Sequence, residues 1–152
     1  MATRIDVQFA YQDENTPTAS EIKAWVKSTL KEFRKNYELT VRIVDKNEAT
    51  ELNERWRNTR GPTNVLSFPC DDSSGQVPDL LGDIVICAPV VEKEAARQEK
   101  ILNAHWAHMV VHGTLHLLGF DHIKKQDAKK MEAMEISILE KLGFNNPYIQ
   151  DQ

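Results

Sequence analysis

The sequence predicts one domain of the α/β or α+β class, built on four short strands interleaved with helices. Three observations carry that expectation. Segments with period-2 apolar alternation trade places along the chain with segments of helical period. No internal repeat or low-complexity linker divides the 152 residues, a length that suits a single domain (residues 1–152) with a sizeable core. The composition, 41% apolar and 28% charged, is that of an ordinary soluble globular chain.

The elements follow in order. "RIDVQFA" alternates Ile5, Val7 and Phe9 as a half-buried strand does. "TASE" gives Thr18 and Glu21 the capping-box spacing and opens a helix with Ile22, Trp25, Val26, Leu30 and Phe33 on one face. "ELTVRIV" alternates Leu39, Val41 and Ile43, a second strand. "NEATELNERWR" is a short helix from Asn47 to about Arg57, with Leu52 and Trp56 on its inner side, and "TRGP" breaks it. "TNVLSFP" is a β-prone strand stopped by Pro69, and "CDDSSGQVPDLL", residues 70–81, is a polar loop. "GDIVIC" is a buried strand. From Pro89 to Leu118 the pattern is helical, two helices meeting within "QEKILN", the second ended by Gly119. "QDAKKMEAMEISILEKLG" is a last amphipathic helix closed by Gly143.

Bulk properties exclude several classes. No apolar run approaches the ~18 residues of a membrane span, and "MATRIDVQFAYQDEN" has no apolar signal core, so a cytoplasmic protein is expected. Cys70 and Cys87 share no CxxC spacing, which fits free thiols in a reducing compartment. A formal net charge of −4 argues against indiscriminate polyanion binding, but a local basic groove remains compatible with it.

The chemistry concentrates in "HGTLHLLGFDH", residues 112–122. On a helix, His112 and His116 lie one turn apart on one face and can offer two imidazoles to one ion. Gly119 tolerates the left-handed turn that could return His122 as a third ligand. Three ligands leave a fourth tetrahedral position open, the arrangement of a catalytic zinc, where bound water acquires a pKa near ~7. The metzincin pattern H-E-x-x-H-x-x-G-x-x-H overlays every histidine and the glycine, but Gly113 stands where that pattern puts its general base. His108 and His112 form a rival i, i+4 pair; His108 suits a hydrogen-bonded residue beside the site, and His105 lies too far up the helix. Asp121 either orients a ligand imidazole or caps the local turn.

Without that glutamate, a phosphodiester suits the site better than a peptide, because a metal can polarise a phosphoryl oxygen while an arginine holds the phosphate. "ERWRNTRGPTNVLSF" supplies Arg55, Arg57 and Arg60. Arg55 and Arg60 read as solvated charges, and spacing alone leaves Arg57 open. Lys124, Lys125, Lys129 and Lys130 follow the last histidine and read as a solvated helix face.

These segments resemble a known family. "HGTLHLLGFDH" is similar to the H-G-x-L-H-L-x-G-[YF]-D-H signature of the bacterial YbeY proteins, "GPTNVLSFP" to their P-T-N-V-L-S-F-P segment, "LLGDIVIC" to L-G-D-[IL]-x-[IL], and "AHWAHMVVHG" to the approach helix. The matches run from about residue 40 to 148, with Phe120 in place of the more usual tyrosine. The resemblance implies an α+β domain with a small mixed sheet and a metalloprotease-like (zincin-like) metal helix. It implies a single-strand-specific, metal-dependent endoribonuclease acting in 16S rRNA 3′-end maturation and late 70S ribosome quality control. Carried over, the ligands fall on His112, His116 and His122, and the functional arginine on Arg57 within "LNERWR". Expected partners are single-stranded RNA, the small ribosomal subunit, ribosomal protein S11 and the GTPase Era, with no membrane. The expected cofactor is one zinc ion per chain, with nickel or another divalent ion as the alternative, since three imidazoles do not choose sharply. Two other readings compete: a metzincin-like peptidase, and a ribosome-assembly factor whose zinc is structural.

Overall fold

The structure is a computed structural model that describes residues 3–33, 37–70, 80–120 and 124–149. Its elements are β1 (Arg4–Phe9), α1 (Ala19–Lys31), β2 (Glu38–Val44), α2 (Lys46–Arg57), β3 (Val65–Pro69), β4 (Leu80–Cys87), α3 (Ala88–Arg97), α4 (Leu102–Leu117) and α5 (Lys125–Lys141). The strands form one mixed sheet in the order β1-β2-β4-β3, the first three parallel and β3 antiparallel to β4. This is the α+β domain with a small mixed sheet that the family resemblance implies.

Local chemistry sets the boundaries. Thr18 accepts from the Glu21 backbone N–H while Glu21 accepts from that of Thr18, both at 3.1 Å, a reciprocal capping box. Asp45 caps α2 through the Glu48 N–H, so that helix begins at Lys46, one residue earlier than expected. β4 begins at Leu80, inside the segment expected to be loop; the rest of that loop, 71–79, lies outside the described residues.

Both faces of the sheet are covered. Val41 and Ile43 of β2 and Ile84 and Ile86 of β4 pack with α1, α4 and α5. The alternate residues Val44, Val85 and Cys87 join Leu66 and Ala49 under α2. Two-sided burial is why β4 reads as a continuous apolar run. One position differs from the expected inner face: Trp56 is 63% exposed, and Ala49 and Asn53 are the buried residues of α2. Trp56 shares the inward stripe of Ala49, but two turns on, at the helix end, the domain no longer covers that stripe.

Helix α4 presses on the sheet through Gly113. A Cβ there would lie 2.8 Å from Ile84 Cγ2 and 3.2 Å from Val65 Cγ2, and the Ser67 hydroxyl donates to the Gly113 carbonyl at 3.0 Å. The position aligned with the metzincin glutamate thus faces an apolar contact, where a carboxylate has neither room nor solvent. Gly113→Ala should therefore lower stability by about 1 kcal/mol, overpacking of ~1–3 kcal/mol outweighing a helix-propensity gain of ~1 kcal/mol. Unchanged or higher stability in urea unfolding would show that the contact relaxes freely.

A second expectation concerns pH. Burial, followed by the hydrogen bond and charge of Asp13, pushes Glu92 up to about 7 from 4.5. The native state then holds a proton that the unfolded chain releases, so stability falls as pH rises from 4.5 to about 7. Glu92→Gln should flatten the melting-temperature profile in that window, and an unaltered slope would rule the pair out as its source.

Candidate metal centre

The histidine stripe lies about a quarter turn around α4 from Gly113, which makes the sheet contact. Ring centroids step from His105 to His108 by 6.4 Å, to His112 by 6.2 Å and to His116 by 4.6 Å. The first residue is committed to structure. His105 Nε2 lies 3.0 Å from Glu94 Oε1, and Asn64 donates to the same carboxylate; burial nevertheless pushes the His105 pKa down.

The centre of the site is Glu135 of α5, which has no exposed surface. Its Oε2 stands 2.5 Å from His112 Nδ1 and its Oε1 3.2 Å from His108 Nε2, and Oε1 also accepts from the Tyr148 hydroxyl. Burial alone would raise this carboxyl; hydrogen bonds from His108, His112 and Tyr148 instead hold it down at about 2. An ionised carboxylate can only accept, so His108 donates through Nε2 and His112 through Nδ1. The same contact, with burial as the larger cause, pushes the Tyr148 hydroxyl up.

That tautomer leaves the His112 Nε2 lone pair facing outward, where His116 Nε2 lies 3.1 Å away. Two imidazole nitrogens on one tetrahedral zinc at ~2.0–2.1 Å would be separated by ~3.3 Å, so the pair fits a shared ion. The backing carboxylate is the usual outer partner of a metal-bound histidine. His108, His112 and Glu135 also form a group able to hold a metal ion, their ligand atoms all within 4.8 Å of one another. Within that group the 2.5 Å contact of His112 and Glu135 is a hydrogen-bond distance, shorter than two ligands of one ion adopt.

Helix α4 ends as its glycine demands. Gly119 takes φ +101°; its N–H donates to the His116 carbonyl and that of Phe120 to the Leu115 carbonyl, a Schellman closure. Phe120 then packs edge-on against Phe33, with centroids 5.7 Å apart, and no role of a tyrosine hydroxyl enters that contact. The next residues, Asp121 and His122, lie outside the described residues. Lys124, Lys125, Lys129 and Lys130 are all exposed.

Arg57 is tied to α4 through β3. Its Nη2 donates to the Ser67 carbonyl, and its Cζ stands 5.5 Å over the Phe68 ring. Ser67 in turn donates to Gly113, the neighbour of His112, so a continuous chain of contacts joins the guanidinium to the histidine helix. Ser67 engages one of five guanidinium N–H donors. Arg55 pairs loosely with Glu51 at 4.0 Å, and Arg60 is exposed.

Sequence reasoning missed Glu135 and Tyr148. Glu135 did carry a signal: it sits four residues after Met131 and three and four before Ile138 and Leu139, all buried, so a carboxylate occupies the apolar stripe of α5. Tyr148 carried none, because a tail residue comes to Glu135 only through tertiary packing. Glu135→Leu should leave the His108, His112 and Tyr148 donors unpaired and cost about 3 kcal/mol. Urea unfolding of metal-free protein tests this, and a loss below experimental error would remove Glu135 from the framework.

Two comparisons with known proteins bear on the fold and the family. The solution structure of TM1509 from Thermotoga maritima superposes with a TM-score of 0.60 at 22% identity, covering 94% of this chain and 99% of that one; it shares the fold. The family described as "Endoribonuclease YbeY" matches residues 7–143. With nearly the whole domain matched, the chain belongs to the YbeY family.

Proposed function

We propose that the protein is a metal-dependent endoribonuclease that cuts single-stranded RNA, with zinc, one ion per chain, held by His112, His116 and His122. The observation that carries this reading is the His112–His116 Nε2 pair, 3.1 Å apart and backed by a buried carboxylate. Family membership supplies the reaction class. Within that class, 16S rRNA 3′-end maturation and late 70S quality control are the proposed tasks, the small ribosomal subunit, S11 and Era the proposed partners, and the cytoplasm the proposed location. Among the described residues no helix is long and apolar enough to cross a membrane.

Each residue has a distinct task. Glu135 fixes the His112 tautomer so that Nε2 faces the ion. Arg57, anchored by Ser67 and Phe68, offers its other N–H groups to a phosphate oxygen, where bidentate contact is favoured. A divalent ion, when bound, supplies Lewis acidity toward the phosphoryl group. The peptidase reading needs a carboxylate base, and Glu135 is poorly suited to that part. It is engaged by three donors on the Nδ1 side of His112 and held at about 2, far from the near-neutral pKa that favours general-base work.

The test is an assay of the purified, metal-analysed protein on single-stranded ribosomal RNA beside folded His116→Ala, Arg57→Glu and Glu135→Gln variants. Wild type should cut. His116→Ala should lose metal and cleavage. Arg57→Glu should keep its metal and lose ~10²-fold or more in rate, and Glu135→Gln should keep the stoichiometry with ~10–100-fold weaker affinity. Equal cutting by all four preparations would assign the activity to a contaminant. No cutting, with unfolding on metal removal, would move the assembly-factor reading ahead.

A further inference from the structure

We propose that Trp56 is a stacking platform for an unpaired base of the RNA strand leading to the metal centre; this rests on the ribonuclease reading above. Three tryptophans occupy this chain, and two behave as core residues: Trp25 is 5% and Trp106 0% exposed. Trp56 is 63% exposed, so burial on folding does not account for its size.

Its surroundings point to a nucleic acid. The Arg55 guanidinium lies 5.6 Å over the indole, and the next residue, Arg57, is the phosphate-binding guanidinium tied through Ser67 to the histidine helix. Arg60 follows within the same exposed turn. Glu51 and Glu54 are the local acids: Glu51 lies 4.0 Å from Arg55, and Glu54 accepts from the Gly61 backbone. Three cations within six residues give this end of α2 a local positive charge in a chain of net charge −4, and an anionic strand complements them.

An indole beside guanidinium groups is the chemistry with which proteins hold single strands: the ring takes a base face, and the cations take the backbone. A duplex keeps its bases stacked on one another and cannot present a face to Trp56. The platform thus supplies a physical basis for preferring unpaired RNA, independent of the cleavage chemistry. Trp56 is a positioning residue and touches no reacting atom.

Because the other two tryptophans are buried, exposed indole emission reports on Trp56. A short single-stranded 2′-O-methyl RNA should quench that emission, and the same sequence as a duplex should not. By anisotropy of the labelled strand, Trp56→Ala should bind roughly tenfold more weakly and raise KM for cleavage with kcat little changed, while Trp56→Phe restores most of the binding. If wild type cuts RNA but Trp56→Ala binds the strand equally well, the platform is wrong and the nuclease reading stands. Equal quenching by single strand and duplex also overturns it. If wild type neither binds nor cuts, both readings fall.

Discussion

A carboxylate with no solvent contact governs the geometry of this domain. Taking an ionised group out of water is expensive unless every lone pair finds a donor, and Glu135 finds three: His108, His112 and Tyr148. Those donors come from α4 and from the tail after α5, so one charge holds three parts of the chain in register. It also determines which nitrogen of His112 carries the proton, and hence which one faces outward. The stability of the helix packing and the chemistry of the proposed ligand pair rest on the same group.

The other constraint is the closeness of α4 to the sheet. Without a side chain at Gly113, the helix settles on Ile84 and Val65, near enough for Ser67 to reach the helix backbone. The same strand residue receives Arg57 on its carbonyl. A glycine that looked like a missing catalytic group is therefore a packing requirement, and its consequence is that a guanidinium and a histidine helix share one strand.

Such a division of labour suits a small domain of modest acidity. A uniformly basic surface would bind any polyanion, whereas here Arg55, Arg57 and Arg60 cluster at the end of α2 around Trp56, and Lys124, Lys125, Lys129 and Lys130 at the start of α5. On the proposed reading, the cluster at the end of α2 would draw in an anionic strand and Trp56 would add selectivity by stacking.

Much of this was legible in the chain itself, where the determining forces are local. The capping box at Thr18 and Glu21, the alternation in β2, the apolar run of β4, the glycine closure after α4 and the i, i+4 spacing of His112 and His116 depend on neighbours within a turn or two, and each appears in the structure where expected. Arg57 could be singled out only by resemblance, because its contacts lie ten residues away on another element. Helix periodicity puts Trp56 on the inner face because it states which residues share a face but not where the domain ends beneath it. Glu135 and Tyr148 are separated from His112 by 23 and 36 positions along the chain, and the energy that joins them, desolvation of a charge, exists only once α4, α5 and the tail have packed. Periodicity and capping therefore determined the elements and the histidine pair, whereas only the folded core decided which carboxylate orients that pair.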